Sequence, residues 1–346
     1  MIKNIDKHIL RSNTSAKKAI IRLNSLDKKF CLIVDKKNKF IGTLTDGDLR
    51  RGLLKNFKID DNIENFIFKK PVITKKKLTT QRALFLLNKY SINCIPYLNK
   101  KNEIEEIYTN EEREIISKID NAMLIMAGGK GSRLRPLTNK IPKPLLLVNN
   151  RPIIERIILM AKSQGISNFF VSINYLGHMI KKFLGNGKKY EVSIKYLNET
   201  RPLGTAGSIK LLKNFKNSII ISNADIISNI NFKEMIKSHN KSKSILTVAA
   251  KVFNEKNNYG RLITQANRLK KIIEKPENNF LINAGIYLIN PKIKMYLGKL
   301  KYLDMTDLIN LLIKKGKKIN VFPLHEKWLD YGLKKNINKH LTKKNN

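Results

Sequence analysis

The sequence predicts an α/β protein: a mixed, mostly parallel sheet flanked by helices, preceded by a smaller β-α-β-β-α unit used twice. Three observations carry that prediction. From residue 122 onward, short apolar runs alternate with segments of helical period. Residues 1–118 repeat at an offset of 64, with Ala19-Ile20-Ile21-Arg22-Leu23-Asn24 matching Ala83-Leu84-Phe85-Leu86-Leu87-Asn88. A glycine-rich turn, Gly128-Gly129-Lys130-Gly131, follows the first apolar run of the second part.

Composition bounds what such a chain can be. Its 346 residues suit two domains, and an apolar fraction of 42% is enough for packed cores. No apolar run approaches the length of a membrane span. The opening MIKNIDKHIL is charged throughout and has no apolar h-region, which predicts no signal peptide and a cytoplasmic protein. Cys31 and Cys94 sit in apolar strand-like stretches and read as buried, reduced thiols without metal-ligand spacing. The net charge of +41 would suit a polyanion partner. The lysines are spread over predicted helices, strands and loops alike, with no aromatic platform between them. They read as a residue bias rather than a nucleic-acid surface.

In the first repeat, Ala16, Ala19, Ile20 and Leu23 form one apolar helix face, with Ser15 as N-cap and Thr79 in the matching place of the second copy. Strands follow at Cys31–Val34 and Asn93–Leu98. After a polar turn, a further strand ends in Gly42-Thr43-Leu44-Thr45, followed by Asp46-Gly47-Asp48-Leu49-Arg50-Arg51. This arrangement resembles a tandem pair of CBS domains, about 1–58 and 59–118. The Thr45 hydroxyl can hold a phosphate, the Asp48 carboxylate can accept from both ribose hydroxyls, and Arg50 and Arg51 can add phosphate contacts. The resemblance implies a regulatory site for an adenosine nucleotide at Thr45, Asp48 and Arg50. A ligand-free docking or dimerisation module is the alternative. In the second copy Glu106 replaces the glycine and Glu112 the aspartate, departing from the pattern.

Residues 112–121 read as a charged, helix-favouring bridge into the buried strand Ala122–Met126. The glycines after it permit φ > 0 and close approach of backbone N–H groups to an anion, and a helix N-terminus just beyond would add its dipole. Arg133 is placed to fork onto phosphate oxygens. The spacing fits neither the dinucleotide fingerprint nor the Walker A loop. Lys143 stands between Pro142 and Pro144, which restrict the backbone around it. The whole string Met126–Thr138 with Pro142-Lys143-Pro144-Leu145-Leu146 resembles the start of the sugar-1-phosphate nucleotidyltransferase family. That family has a Rossmann-like sheet, which implies a catalytic domain over 122–346. Its pattern implies nucleotide binding by Ala127, Gly128, Gly129, Gly131, Ser132 and Arg133, and catalytic roles for Arg133, Lys143 and Asp225.

Further motifs fall at predicted strand ends, where ligands bind in open α/β sheets. A helix is predicted at Ile153–Gly165, a strand at Phe169–Asn174, a helix at Gly177–Leu184 and a strand at Ser193–Leu197. Glu199-Thr200-Arg201-Pro202-Leu203-Gly204-Thr205-Ala206-Gly207 matches the family's base-recognition stretch, which brings in Glu199, Gly204 and Thr205. A carboxylate only accepts, so Glu199 suits the two neighbouring donors of guanine and favours GTP. The rival reading makes Glu199 a cap for the following turn. The strand Ile219–Asp225 ends in an aspartate that the family pattern gives to Mg²⁺, with Asp330 as the second metal carboxylate. Two carboxylates from distant strands are what a hard cation needs. Ala224 replaces the family's glycine, a tolerable change whose one expected effect is some crowding of the sugar. By the same resemblance Lys275 grips the phosphate of the sugar substrate, and Gly260, Glu274 and Asn283 face the sugar hydroxyls.

The resemblance implies Mg²⁺-dependent transfer of a nucleotidyl group from an NTP to a sugar 1-phosphate, releasing pyrophosphate. CBS domains joined to such a transferase resemble the guanylyltransferases for amino-sugar 1-phosphates, such as glucosamine 1-phosphate, in legionaminic acid synthesis. Mannose- or heptose-phosphate guanylyl transfer, uridylyl or thymidylyl transfer, and a catalytically weak nucleotide sensor are the alternatives. A homo-oligomer, with no membrane or nucleic-acid partner, completes the expectation.

Overall fold

The computed structural model describes residues 5–26, 28–55, 57–90, 92–109, 119–213, 215–256, 259–275, 277–298 and 302–338. The chain divides into two compact units, Met1–Ile115 with Val252–Phe280, and Ile116–Lys251 with Leu281–Asn346. Among the described residues no helix is long and apolar enough to cross a membrane.

The first unit opens with β1 (Ile9–Arg11), α1 (Ala16–Ser25), β2 (Phe30–Val34), β3 (Phe40–Thr45) and α2 (Asp46–Leu54). This is the expected β-α-β-β-α order, and β1-β2-β3 form one sheet. Ser15 caps α1 by accepting from the Lys18 N–H, and Ala16, Ala19, Ile20 and Leu23 are buried as the apolar spacing requires. The second copy has α3 (Thr80–Tyr90), β4 (Cys94–Leu98) and β5 (Ile104–Thr109), with a single parallel bridge, Thr74 to Tyr97, in place of a first strand. The Thr79 hydroxyl accepts from the Arg82 N–H at 3.3 Å, as its predicted capping place demands. Asn110 to Lys118, which hold Glu112 and most of the expected bridge, lie outside the described residues. Cys31 and Cys94 are buried thiols, and burial pushes both up to about 12.

The second unit contains β6 (Met123–Met126), β7 (Leu147–Val148), β8 (Arg151–Pro152), α4 (Ile153–Ser163), β9 (Asn168–Ile173), α5 (Gly177–Leu184) and β10 (Ser193–Asn198). It continues through β11 (Ile219–Asn223), β12 (Ile226–Ser228), α6 (Phe232–Ser242) and β13 (Leu246–Lys256). A hairpin, β14 (Arg261–Gln265) and β15 (Arg268–Ile273), interrupts it before β16 (Glu277–Ile289), α7 (Met305–Lys314), β17 (Ile319–Leu324), β18 (Trp328–Asp330) and α8 (Lys334–Asn338). The hairpin falls in the 252–280 excursion that groups with the first unit.

The central sheet has the order β10-β9-β6-β11-β16-β13-β17. Strands β10, β9, β6 and β11 pair in parallel, and β16 pairs with β11 antiparallel. Side chains alternate between the two faces with the period of a strand. Met123, Ile125 and Ile220 join one core with α4, α5 and α6, while Leu124, Ile219 and Ile221 join the other with α7. Both faces are covered, which is why these strands read as continuous apolar runs. The four parallel strands end on one side, at Met126, Ile173, Asn198 and Asn223, and the loops that follow them carry the conspicuous motifs.

Candidate active site

The loop after β6 begins at Ala127, whose N–H donates to the Ser172 carbonyl at 2.9 Å. Of its glycines only Gly131 is left-handed, at φ +62°, and a Cβ there would press on Thr138 and Lys143. Gly128 is needed for a different reason: a Cβ would come within 3.1 Å of the Glu199 carboxylate. Gly129 faces open space. The expected helix N-terminus beyond the loop is not there; Ser132–Leu134 is a single 3-10 turn. The loop closes on itself instead, because the Thr138 hydroxyl donates to the Gly131 carbonyl at 2.9 Å. Tyr175 ties down its far end by donating toward the Thr138 and Asn139 carbonyls. Anion binding here would rest on loop N–H groups and Arg133, without a helix dipole.

Lys143 begins a short 3-10 turn behind Pro142, and its Nζ forms an ion pair with Asp225 Oδ2. Asp225 occupies the turn between β11 and β12. Strand β12 pairs antiparallel with β18, in a register that sets Ile226 opposite Asp330. The Tyr331 N–H also donates to the Asp225 carbonyl at 2.9 Å. Two carboxylates about a hundred residues apart are thereby brought to one place by a three-residue ladder. A Cβ added to Gly332 would lie 2.8 Å from Asp225 Oδ2 and 2.9 Å from Asp330 Oδ1. The space beside Gly332 is thus a cradle between two carboxylate oxygens that any side chain would fill. It fits a hard divalent cation of the Mg²⁺ kind, which is held by one or two carboxylates and keeps several waters. Burial above all pushes the Asp330 carboxyl above the usual range; the Gly332 N–H opposes that, Asp225 adds to it, and Lys143 and Arg133 pull it back.

A cavity of 370 Å³ opens over this point, lined by Gly131, Ser132, Arg133, Lys143, Asp225, Asn283 and Asp330 among others. Asn223, Tyr287 and Trp328 also line it, although the sequence did not single them out. Only Trp328 carried a signal, since it precedes Asp330 by one strand period within β18. Asn283 donates to the Tyr287 hydroxyl at 2.8 Å and accepts from the Gly285 N–H at 3.0 Å. Trp328 is fixed by donating to the Ala284 carbonyl at 2.9 Å. Ala224 does not crowd this cavity; it is 3% exposed and packs into the core.

Glu199 does not line the cavity. It lies against Gly128, with Oε1 accepting from the Ser172 hydroxyl and Oε2 from the Leu203 N–H at 3.2 Å. The second contact is the turn cap of the rival reading. Gly204 adopts φ +82° where a Cβ would strike the Leu303 carbonyl. Thr205 is bonded through its N–H and hydroxyl to Asp304 Oδ1, and its hydroxyl accepts from the Met305 N–H. These two residues anchor the loop to the start of α7.

In the first unit, Thr45 and Asp48 meet, but by bonding to each other. The Thr45 N–H and hydroxyl donate to Asp48 Oδ2 at 2.8 and 2.6 Å, and Arg51 holds Oδ1 at 2.5 Å. Arg50 turns to Asp46 at 2.6 Å and is 5% exposed. Gly42 is required because a Cβ would meet the Phe68 carbonyl at 2.5 Å, whereas Glu106 in the second copy pairs with Lys77 at 2.9 Å. Gly260, Glu274 and Lys275 lie on the excursion that groups with this unit. A Cβ on Gly260 would come within 3.1 Å of Glu274 Oε2, and Lys275 is left-handed at φ +45°.

Comparison with known proteins bears on both parts of the chain. The mannose-1-phosphate guanyltransferase of Saccharomyces cerevisiae is 33% identical over 224 residues, covering 62% of each chain. That of Kluyveromyces lactis is 34% identical over 235 residues, again covering 62% of each. The chain therefore spans about 62% of the length of these curated relatives. Among solved structures, a putative glucose-1-phosphate thymidylyltransferase from Bacillus anthracis superposes with TM-score 0.51 at 24% identity, covering 63% of this chain and 92% of that one. HddC from Yersinia pseudotuberculosis matches with the same score and identity, covering 64% and 97%. These two share the fold. A CBS-domain family model matches residues 2–55. The loop, the lysine and both aspartates fall within 122–344, the span matched by the nucleotidyl transferase family model, and the chain belongs to that family.

Proposed function

We propose that the chain transfers a nucleotidyl group from an NTP to a sugar 1-phosphate, giving an NDP-sugar and pyrophosphate. The observation that carries this reading is the cradle beside Gly332, where Asp225 and Asp330 converge in the lining of a cavity that Arg133 and Lys143 also line. Within 122–344, Arg133 and the N–H groups from Gly128 to Ser132 would hold the triphosphate, with Ala127 fixing the start of the loop through its own N–H. Lys143, stiffened by its prolines, would meet charge that builds on the α-phosphate. Asn283, in the cavity lining, would hold the sugar side. The sugar phosphate is already ionised, so its oxygen attacks the α-phosphorus without a general base, and the α–β phosphoanhydride bond breaks to release pyrophosphate. Positioning and charge neutralisation carry the rate. A divalent cation held by Asp225 and Asp330, for which Mg²⁺ is the hard-cation choice, would supply Lewis-acid screening of the phosphates.

GTP is the favoured donor, on the acceptor-only chemistry of Glu199. An amino-sugar 1-phosphate such as glucosamine 1-phosphate is the favoured acceptor, on the joining of CBS domains to this transferase. Mannose 1-phosphate is the second reading, favoured by the names of the curated relatives. Residues 1–118 would be the regulatory part, cytoplasmic like the rest and working in a homo-oligomer. An adenosine nucleotide at Thr45, Asp48 and Arg50 would have to displace the Thr45–Asp48 and Arg51–Asp48 bonds. The test is pyrophosphate release from each NTP with a panel of sugar 1-phosphates, for wild type and Asp225→Asn. The variant should lose about 100-fold or more in kcat at saturating Mg²⁺; turnover close to wild type would sink the metal assignment.

A further inference from the structure

We infer that Ser172 is a positioning residue for base selection, acting through Glu199. The inference rests on the reading of Glu199 as the group that meets the base. Ser172 lies near the end of β9, with Met126 of β6 and Leu197 of β10 opposite it. It is 1% exposed and flanked in the strand by buried Val171 and Ile173. A hydroxyl in such a place is costly unless it is hydrogen-bonded. Its hydrogen bond goes to Glu199 Oε1.

Glu199 is fixed at three further points. Its N–H donates to the Ile173 carbonyl at 2.9 Å, its own carbonyl accepts from Asn174 Nδ2 at 2.7 Å, and Oε2 accepts from the Leu203 N–H at 3.2 Å. Gly128 lets the carboxylate lie against the phosphate loop, since a Cβ there would sit 3.1 Å from Oε1 and 3.3 Å from Oε2. Among the described residues each oxygen takes one hydrogen bond from the protein, and a carboxylate oxygen can accept a second. Guanine presents N1–H and the N2 amino group side by side, a match for two oxygens held at fixed positions. Uracil presents one donor between two acceptors. The terminal torsion of a glutamate is broad when unrestrained, and the Ser172 bond on Oε1 acts with the Leu203 N–H on Oε2 to hold both oxygens in a fixed plane.

The test is calorimetric binding of GTP, ITP and UTP to the full chain, with pyrophosphate release measured alongside. ITP lacks the N2 amino group. Wild type should bind GTP at least about tenfold more tightly than UTP, with ITP between them. Ser172→Ala should lose about tenfold in GTP affinity and change UTP affinity less than about twofold, with kcat for GTP nearly unchanged. In an E199A background the same substitution should shift GTP affinity by less than about twofold. An unchanged GTP-to-UTP ratio in S172A, or an undiminished effect in the E199A background, would overturn the inference. Turnover by a wild type without GTP selectivity overturns it too, and leaves the transfer reading standing. GTP-selective binding that S172A abolishes, without turnover of any sugar 1-phosphate, supports it and removes the transfer reading instead.

Discussion

Gly332 shows how much a single residue can decide at this site. It follows Asp330 by two positions, its N–H donates to Asp330 Oδ1 at 2.7 Å, and its missing side chain leaves open the point between two carboxylates. Asp225 is held by Lys143 on one side and, through its backbone carbonyl, by Tyr331 on the other. Neither carboxylate can retreat far, so an added methyl would occupy the cradle rather than push it wider. Gly332→Ala should therefore weaken binding of Mn²⁺, a spectroscopic stand-in for Mg²⁺, by about tenfold or more, because hard cations need their oxygens unobstructed. Paramagnetic resonance of free Mn²⁺ reads this directly, and kcat/KM should fall in parallel while the unfolding midpoint moves little. Unchanged Mn²⁺ affinity would show that the cation, if bound, sits elsewhere. The sequence offered Asp225 and Asp330 as the pair but gave no reason for Gly332, since the requirement appears only once both side chains are in place.

At the level of elements, legibility followed the range of the interactions. Helices α1, α4 and α5 and strands β2, β6, β9, β10 and β11 were readable because a local apolar period sets each of them. The β12–β18 ladder was not, because three-residue strands a hundred positions apart carry no period of their own. A helix N-terminus was expected just beyond the glycines after β6, whereas the Thr138–Gly131 bond and the Tyr175 contacts fold the chain into a closed loop. The 252–280 excursion carries motifs in family order, yet its grouping with the first unit depends on contacts that sequence order cannot express. Helix α6 contributes a feature that the sequence left silent. His239 is 2% exposed, its Nδ1 pairs with the Thr247 hydroxyl at 2.8 Å, and among the described residues its Nε2 has no hydrogen-bond partner. Burial lowers its pKa from 6.5 to about 4. The folded value lies below the unfolded one, so the stabilisation is full above pH 6.5 and is lost as pH falls from 6.5 toward 4. Unfolding free energy should drop across that window by up to about 1.4 kcal/mol per pH unit from this residue. His239→Leu should flatten the slope in urea titrations at matched pH; an unaltered slope would assign the acid sensitivity to other groups.

For the whole molecule the dominant quantity is charge. Sixty-eight basic side chains against twenty-seven acidic ones give +41, and the excess is spread along the chain rather than gathered at one motif. Both proposed substrates are anions, so this field would draw them in before Arg133 and Lys143 engage them. The two contributions differ in range. Charges spread over the surface act through solvent and are screened as the Debye length shrinks from about 10 Å at 0.1 M salt to about 3 Å at 1 M. The Lys143–Asp225 pair is largely withdrawn from solvent and feels salt much less. Raising ionic strength from about 0.05 to 0.5 M should then raise KM for the NTP several-fold through the long-range part, and leave kcat within about twofold. Steady-state kinetics in an indifferent salt would measure it. A KM that stays flat would mean that the local cations alone set affinity and that the excess charge has no part in capture. A kcat that falls as KM rises would mean that salt reaches the reacting phosphates, against the part-buried placement of Lys143 and Asp225.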